Sequence, residues 1–160
     1  MSNKVILVTG ASSGMGFETA KTLAQQGNKV YGAARRVEKM AALKEYGVTP
    51  LKLDITDEAS NKAAIAEIIA KEGRIDVLIN NAGYGSYGAI EDVDLAEAKR
   101  QFDVNLFGLA ETSCLICARN TQVKSSMYHR WVAAWYRLWV AGTMQPNMPL
   151  KLLAMPFEWK

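Results

Sequence analysis

The chain has 160 residues, 49% of them hydrophobic and 22% charged, the size of about one soluble globular domain with enough apolar content for a core. Its formal charge of +3 averages two unlike parts: residues 1–111 carry 13 Lys and Arg against 15 acids, while residues 112–160 carry 6 against 1. Without a basic run or interleaved aromatics the charge excludes nucleic acid as the expected partner, no apolar stretch reaches membrane-spanning length, and a cytoplasmic location is expected.

Residues 4–9 form a continuous apolar run ending at Gly10, the pattern of a strand buried on both faces of a parallel sheet. Phe17, Ala20, Leu23 and Ala24 then recur at helical spacing, with Gly27 placed to end the helix. The alternation repeats: residues 29–35 as strand, 37–46 as helix, 48–54 as strand with Pro50 near its start, and 57–71 as a long helix. Residues 74–83 read as a fourth strand running into a turn, and 95–109 regain helical periodicity. Strands alternating with helices through short connections predict right-handed crossovers and an α/β, doubly wound parallel sheet.

The loop between the first strand and first helix reads TGASSGMG, with Gly10, Gly14 and Gly16. Gly10 permits a tight turn off the strand, Gly14 lets backbone approach a pyrophosphate, and Gly16 lets the helix lie close on the sheet. The N–H groups of Ser12, Ser13 and Met15, at the helix N-terminus, then face an anion. A glycine triplet alone could be an ordinary turn; its place after a buried strand and before an amphipathic helix favours the cofactor reading.

This spacing resembles the TGxxxGxG of the short-chain dehydrogenase/reductase family, and further matches follow in order. Residues 53–56 (LDIT) resemble the family's adenine-side segment, 80–83 (NNAG) its turn after the fourth strand, and 102–108 (FDVNLFG) its helix carrying an active-site asparagine. The resemblance implies a Rossmann-like cofactor-binding region over residues 1–111, with Asp54 and Ile55 bordering adenine and Asn81, Ala82 and Gly83 supporting the cofactor. It implies that Asn105 holds proton-relay geometry, and that an intact relative transfers hydride between a nicotinamide cofactor and an alcohol or carbonyl substrate. Structural alternatives stand beside these roles: Asp54 could cap the next helix, and Asn105 could satisfy backbone.

At the end of the second strand, where an NAD enzyme usually places an acid for the ribose 2′-hydroxyl, stand Arg35 and Arg36. Guanidinium groups pair bidentately with a 2′-phosphate, which places NADP ahead of NAD; the alternative is two solvated arginines on a loop.

The part after Glu111 departs from the family. All four Trp lie beyond position 130, and no Tyr-x-x-x-Lys pair occurs anywhere in the chain. That pair is the family's acid/base machinery, the lysine lowering the tyrosine's pKa. Ser125 and Ser126 sit in VKSSMYHRW, which does not read as a buried strand, so the sheet is expected to stop, incomplete, after its fourth strand. Bases chosen to encode residues 142–160, regrouped by one position, read WYHATKYALEAFSDALRME, and KSSMYHRW regroups at the same offset to KIINVSSM. A change of reading frame near residues 111–114 therefore accounts for the loss, leaving Arg130, Thr143 and Asn147 where serine, tyrosine and lysine belong.

Residues 112–160 are accordingly expected to be a poorly structured tail outside the family pattern, the chain truncated and catalytically inactive, and the family's oligomer lost. The tail's one suggestive element is a helix with Trp131, Trp135 and Trp139 on one face, which admits a non-catalytic nucleotide-binding or Trp-tail interaction module as the alternative function. Cys114 and Cys117 form a lone CxxC, and with His129 the single histidine no metal site is expected.

Overall fold

The computed structural model describes residues 3–86 and 93–119, and residues 124–127 as backbone. The chain divides into two compact units, Met1–Tyr128 and His129–Lys160, the second lying outside the described residues together with the expected tryptophan helix and positions 130, 143 and 147.

Five parallel strands form one sheet in the order β3-β2-β1-β4-β5. They are β1 (Val5–Thr9), β2 (Lys29–Ala34), β3 (Val48–Lys52), β4 (Val77–Asn80) and β5 (Lys124–Met127). Every residue of β1 is buried because the central strand has a neighbour on each side and helices on both faces. Its alternate residues serve two cores. Val5 and Leu7 join Ile65, Ile68, Leu78 and Ile116 on one face, while Ile6 and Val8 join Ala20, Met40, Leu43 and Val48 on the other. With each such Val, Leu or Ile side chain worth roughly 1.5–3 kcal/mol when fully buried, these two layers fix the register of the strands between them.

The helices are α1 (Gly14–Gln25), α2 (Glu58–Glu72), α3 (Leu95–Phe102) and α4 (Leu109–Arg119). Asp57 begins α2 by accepting the Ala59 N–H at 3.1 Å, and Gly73 ends it in a left-handed conformation at φ 75°. The segment Val37–Tyr46, expected as a helix, is helical over those residues and of the 3₁₀ type. Its buried residues, Met40 and Leu43, are three apart, the repeat of the tighter helix, so both point into the core.

Two expectations change. Helix α4 carries helical structure ten residues past 109, because Leu109, Thr112, Ser113 and Ile116 are buried at helical spacing. The sheet also does not end at β4: residues 124–127, read from sequence as something other than a strand, pair in parallel with Val77–Asn80. Alternation of apolar residues, the signal used to find strands, is missing from KSSM, so that pairing left no mark in the sequence pattern. Among the described residues no helix is long and apolar enough to cross a membrane.

Candidate functional site

The carboxyl ends of β1, β2, β3 and β4 open into a cavity of about 740 Å³, within the range of small-molecule sites. This is the crevice beyond the strand ends where open α/β sheets place ligands. Eleven of the thirteen cofactor residues expected from sequence line it: Gly10, Ser12, Ser13, Met15, Arg35, Arg36, Asp54, Ile55, Asn81, Ala82 and Gly83.

Gly14 and Gly16 do not line it; they shape the loop that does. Gly14 has φ +58°, in the left-handed region that glycine adopts without cost. Gly16 lies where a Cβ would overlap the Asn81 amide nitrogen and come within 2.5 Å of the Gly10 carbonyl oxygen. The absence of that carbon lets α1 start directly against the β1 and β4 ends. At Gly10, with φ +69°, a Cβ would lie 2.8 Å from Ala82 Cα. The ends of β1 and β4 and the start of α1 are therefore packed closely around the loop.

Thr9 ties the two central strands together beneath the cavity. Its hydroxyl oxygen accepts the N–H of Asn81 at 3.1 Å and of Ala82 at 3.0 Å, while Asn81 Nδ2 donates back to the Thr9 carbonyl at 3.2 Å. Asn80, next along, is buried and donates to Ser113 Oγ at 3.0 Å, which in turn donates to the Leu109 carbonyl at 2.8 Å. The turn after β4 is thus held from β1 on one side and α4 on the other.

Asp54 does not cap the following helix, since Asp57 fills that place. Its Oδ1 instead accepts from the Thr56 N–H at 3.1 Å and hydroxyl at 2.8 Å, an Asx turn that fixes the loop after β3 at the cavity wall. Ile55 meets the opposite wall: a Cβ on Gly108 would overlap the Ile55 carbonyl oxygen, so glycine there allows the helix to rest on this loop. Buried Asn61 secures the same join by donating to the Ile55 carbonyl at 3.0 Å and to Glu111 Oε2 at 3.1 Å.

Between α3 and α4 the helix widens into a π segment, Asp103–Gly108, which contains Asn105. Such segments are rare and frequent at functional sites. The Asn105 side chain does not line the cavity; it pairs with the backbone of Tyr84, accepting the N–H at 3.0 Å and donating to the carbonyl at 2.7 Å. The alternative role read from sequence, satisfying backbone, is the one its side chain performs.

Arg35 and Arg36 are exposed and line the cavity directly beyond β2. Neither makes an ion pair among the described residues. Sequence reading missed Thr9, Tyr84, Glu97, Arg100 and Val104 as lining residues. Burial raises the Tyr84 hydroxyl pKa, and a hydrogen bond to the Glu97 carboxylate adds to the rise. Only the position of residues 97, 100 and 104 at helical spacing, upstream of Asn105, could have pointed to α3 as a wall.

Ser125 and Ser126 stand on β5 opposite Leu78 and Ile79 of β4. Among the described residues no group of three or more His, Cys, Asp or Glu could hold a metal ion. Cys114 and Cys117, half-buried on α4, are not joined in a disulfide, and burial pushes the Cys117 thiol pKa up, away from the reactive thiolate.

A family model described as short chain dehydrogenase matches residues 4–122. The chain belongs to the short-chain dehydrogenase family. A short-chain type dehydrogenase/reductase of Helicobacter pylori is 41% identical over 116 residues, covering 71% of this chain and 43% of that protein. Among solved structures, a short-chain dehydrogenase from Streptomyces avermitilis superimposes with a TM-score of 0.71 at 36% identity, over 74% of this chain and 45% of that one. An alcohol dehydrogenase from Thermococcus sibiricus, solved with 5-hydroxy-NADP, gives a TM-score of 0.68 at 28% identity over 72% and 52%. The chain spans less than half the length of the curated relatives it matches first.

Short-chain dehydrogenases act on small molecules with a nicotinamide cofactor, and the cavity fits such a group. Glycines clear its floor where a Cβ would intrude, helix α1 points its N-terminus at it, and two uncommitted guanidinium groups stand at its rim.

Proposed function

We propose that the described residues form an NADP-binding region, preferring NADP to NAD, and that the 160-residue chain holds this cofactor without transferring hydride. One observation carries the cofactor preference: Arg35 and Arg36 stand together at the cavity rim just past β2, without an ion-pair partner among the described residues. A 2′-phosphate would give both guanidinium groups a partner, whereas a bare ribose hydroxyl would leave them without one. The remaining carboxylate on that side, Asp54, is engaged by Thr56. The Thermococcus relative's NADP analogue supports the same preference.

In this reading the chain's residues bind and orient. Backbone N–H groups at the start of α1 would face the pyrophosphate, Asp54 and Ile55 would border the adenine, and Asn81–Gly83 would support the cofactor; all of these segments line the cavity. When bound, the cofactor would supply a hydride donor or acceptor at its nicotinamide ring. The absence of hydride transfer rests on the missing Tyr-x-x-x-Lys pair, the family's acid/base machinery.

A change of reading frame supports that absence. The regrouped strand KIINVSSM would begin at Lys124, where β5 begins, and both regrouped strings share one offset. Resequencing the gene over this stretch tests it; bases that cannot be regrouped into those strings would end the idea. For the protein, titration of the full chain with NADPH and NADH, followed by an assay of NADPH consumption with a panel of ketones and aldehydes, tests the whole reading. Tighter NADPH binding without turnover is expected. Equal affinities would remove the NADP preference, and turnover would refute the inactivity.

A further inference from the structure

The helix after the turn at Gly83–Ser86 forms a third wall of the cavity that the glycine loop and the arginine pair do not account for. Glu97, Arg100 and Val104 all line it, at spacings of three and four residues that put them on one face of one helix. Gly108, four residues further on, carries the same face down onto the Ile55 carbonyl. Val104, Leu53 and Ile55 line the same cavity as Arg100, which lies one turn before Val104 in the chain and is exposed.

The rim brings charges together. Arg35 from the end of β2 and Arg100 from α3 are both exposed, both line the cavity, and both act on Tyr84, where each favours the ionised phenol. Arg100 makes no ion pair among the described residues, even though Glu97 lies one turn away on its own helix. Glu97 lines the cavity too, and its carboxylate is among the groups that raise the Tyr84 phenol's pKa. Tyr84 is itself locked by Asn105, and Ser86 N–H donates to Gln101 Oε1 at 2.9 Å, so the turn is fastened to α3 along its length. The guanidinium of Arg100 thus stands at the cavity without an ion pair among the described residues.

We infer that Arg100 is a specificity-determining residue: with Arg35 it brackets the 2′-phosphate of NADP from the α3 side. This rests on the cofactor reading above and deepens it. A phosphate between two guanidinium groups from different walls gains two charge-assisted contacts and a fixed position, which a single loop cannot give. A dinucleotide lacking the 2′-phosphate offers Arg100 nothing within the same geometry.

The test uses the full chain and three probes, NADPH, NADH and 2′,5′-ADP, with Kd measured for the native protein and for Arg100→Gln, Arg100→Lys and Arg35→Gln. Circular dichroism checks folding, which an exposed residue without an ion pair should not disturb. Arg100→Gln is expected to weaken NADPH and 2′,5′-ADP by about tenfold or more and NADH by less than about twofold, as for loss of one charged contact. Arg100→Lys should recover part of the affinity, because it keeps the charge without the planar fork. Equal losses for NADPH and NADH would overturn the inference, since Arg100 would then serve the pyrophosphate or the general field. Unchanged NADPH affinity in Arg100→Gln beside a clear loss in Arg35→Gln would also overturn it and leave the cofactor reading intact. Failure of the native chain to prefer NADPH over NADH would overturn the cofactor reading itself, and this inference with it.

Discussion

The side chain of Asn105 pairs with both backbone polar groups of Tyr84, accepting its N–H at 3.0 Å and donating to its carbonyl at 2.7 Å. One amide thereby completes the hydrogen bonding of a turn residue that has no strand partner, and it does so from inside a π segment whose extra backbone width brings position 105 toward the turn. Each such bond contributes a net ~0.5–1.5 kcal/mol, so Asn105→Ala should lower unfolding free energy by about 1–3 kcal/mol. Asn105→Asp keeps the acceptor and loses the donor, which should give a smaller loss. Urea unfolding with hydrogen exchange at Tyr84 N–H measures both; unchanged stability together with unchanged protection in Asn105→Ala would show that the pairing holds nothing.

Thr9 carries a heavier load because it is buried, at 1% exposure, and serves two donors at once. Thr9→Val preserves shape while leaving the Asn81 and Ala82 N–H groups without their acceptor at the β1–β4 junction. The cost expected is about 2–4 kcal/mol, from ~1–3 kcal/mol for each buried donor left unsatisfied with partial relief by relaxation. Thr9→Ser keeps the oxygen and should lose less than about 1.5 kcal/mol, mostly the buried methyl. A valine variant as stable as the serine variant would mean that the hydroxyl is dispensable.

The difference between Thr9 and the glycines shows what the sequence made legible. Continuous apolar runs marked β1 and β2 because central strands are buried on both faces, and the glycine spacing marked the loop because backbone crowding there admits no side chain. Asn105 and Asp54 were found by motif, yet their bonding partners, Tyr84 and Thr56, were not: which acceptor a polar side chain meets is decided by three-dimensional approach. Gly108 escaped for the same reason. Its contact with Ile55 joins positions 53 residues apart, and nothing local requires glycine inside a helix. Arg100 reads from sequence as one cation on a solvated helix; only the seating of that helix on Ile55 turns it to the cavity. β5 was missed because its residues lack alternation, and its strand pairing is a property of the neighbour it lies against.

Alanine substitutions at the glycines should rank by what lies around them. Gly14 has a left-handed φ of +58° but nothing within 4 Å of a built Cβ, so Gly14→Ala should cost only the conformational strain, about 1–2 kcal/mol. Gly16→Ala meets backbone at the Gly10 carbonyl and Gly108→Ala meets backbone at the Ile55 carbonyl, neither of which can move without shifting a strand end or loop. Overpacking of this kind typically costs about 1–3 kcal/mol, and more where the neighbour is rigid backbone. Gly16→Ala should also weaken NADPH binding, since the loop it displaces carries the cofactor-facing N–H groups. Thermal unfolding of the three variants tests the ranking; Gly14→Ala proving the most damaging would show that strain, not crowding, governs this loop.

At the opposite end of the sheet, Lys29 and Tyr31 of β2 both reach Glu72 at the end of α2: the lysine pairs with Oε2 at 2.6 Å and the tyrosine hydroxyl donates to Oε1 at 3.1 Å. The Lys29 hydrogen bond leads the effects that hold the Glu72 carboxyl below its ordinary 4.5, with Tyr31 and the charge of Arg74 assisting. Burial, then the Glu72 bond and the charges of Glu72 and Glu67, push Tyr31 up from 10.0 to about 12. A carboxyl with a depressed folded pKa contributes stability that is complete above about pH 4.5 and is lost as pH falls through the folded value. A phenol with a raised folded pKa contributes stability that is complete below pH 10 and is lost as pH rises toward about 12. Stability should therefore hold level between those limits as far as this network governs it, and fall outside them. Tyr31→Phe should remove the tyrosine's share of the alkaline fall, and Glu72→Gln should flatten the acid limb. Urea midpoints measured across the pH range for the native chain and both variants decide the matter; an alkaline limb of unchanged steepness in Tyr31→Phe would mean that the buried phenol does not control it.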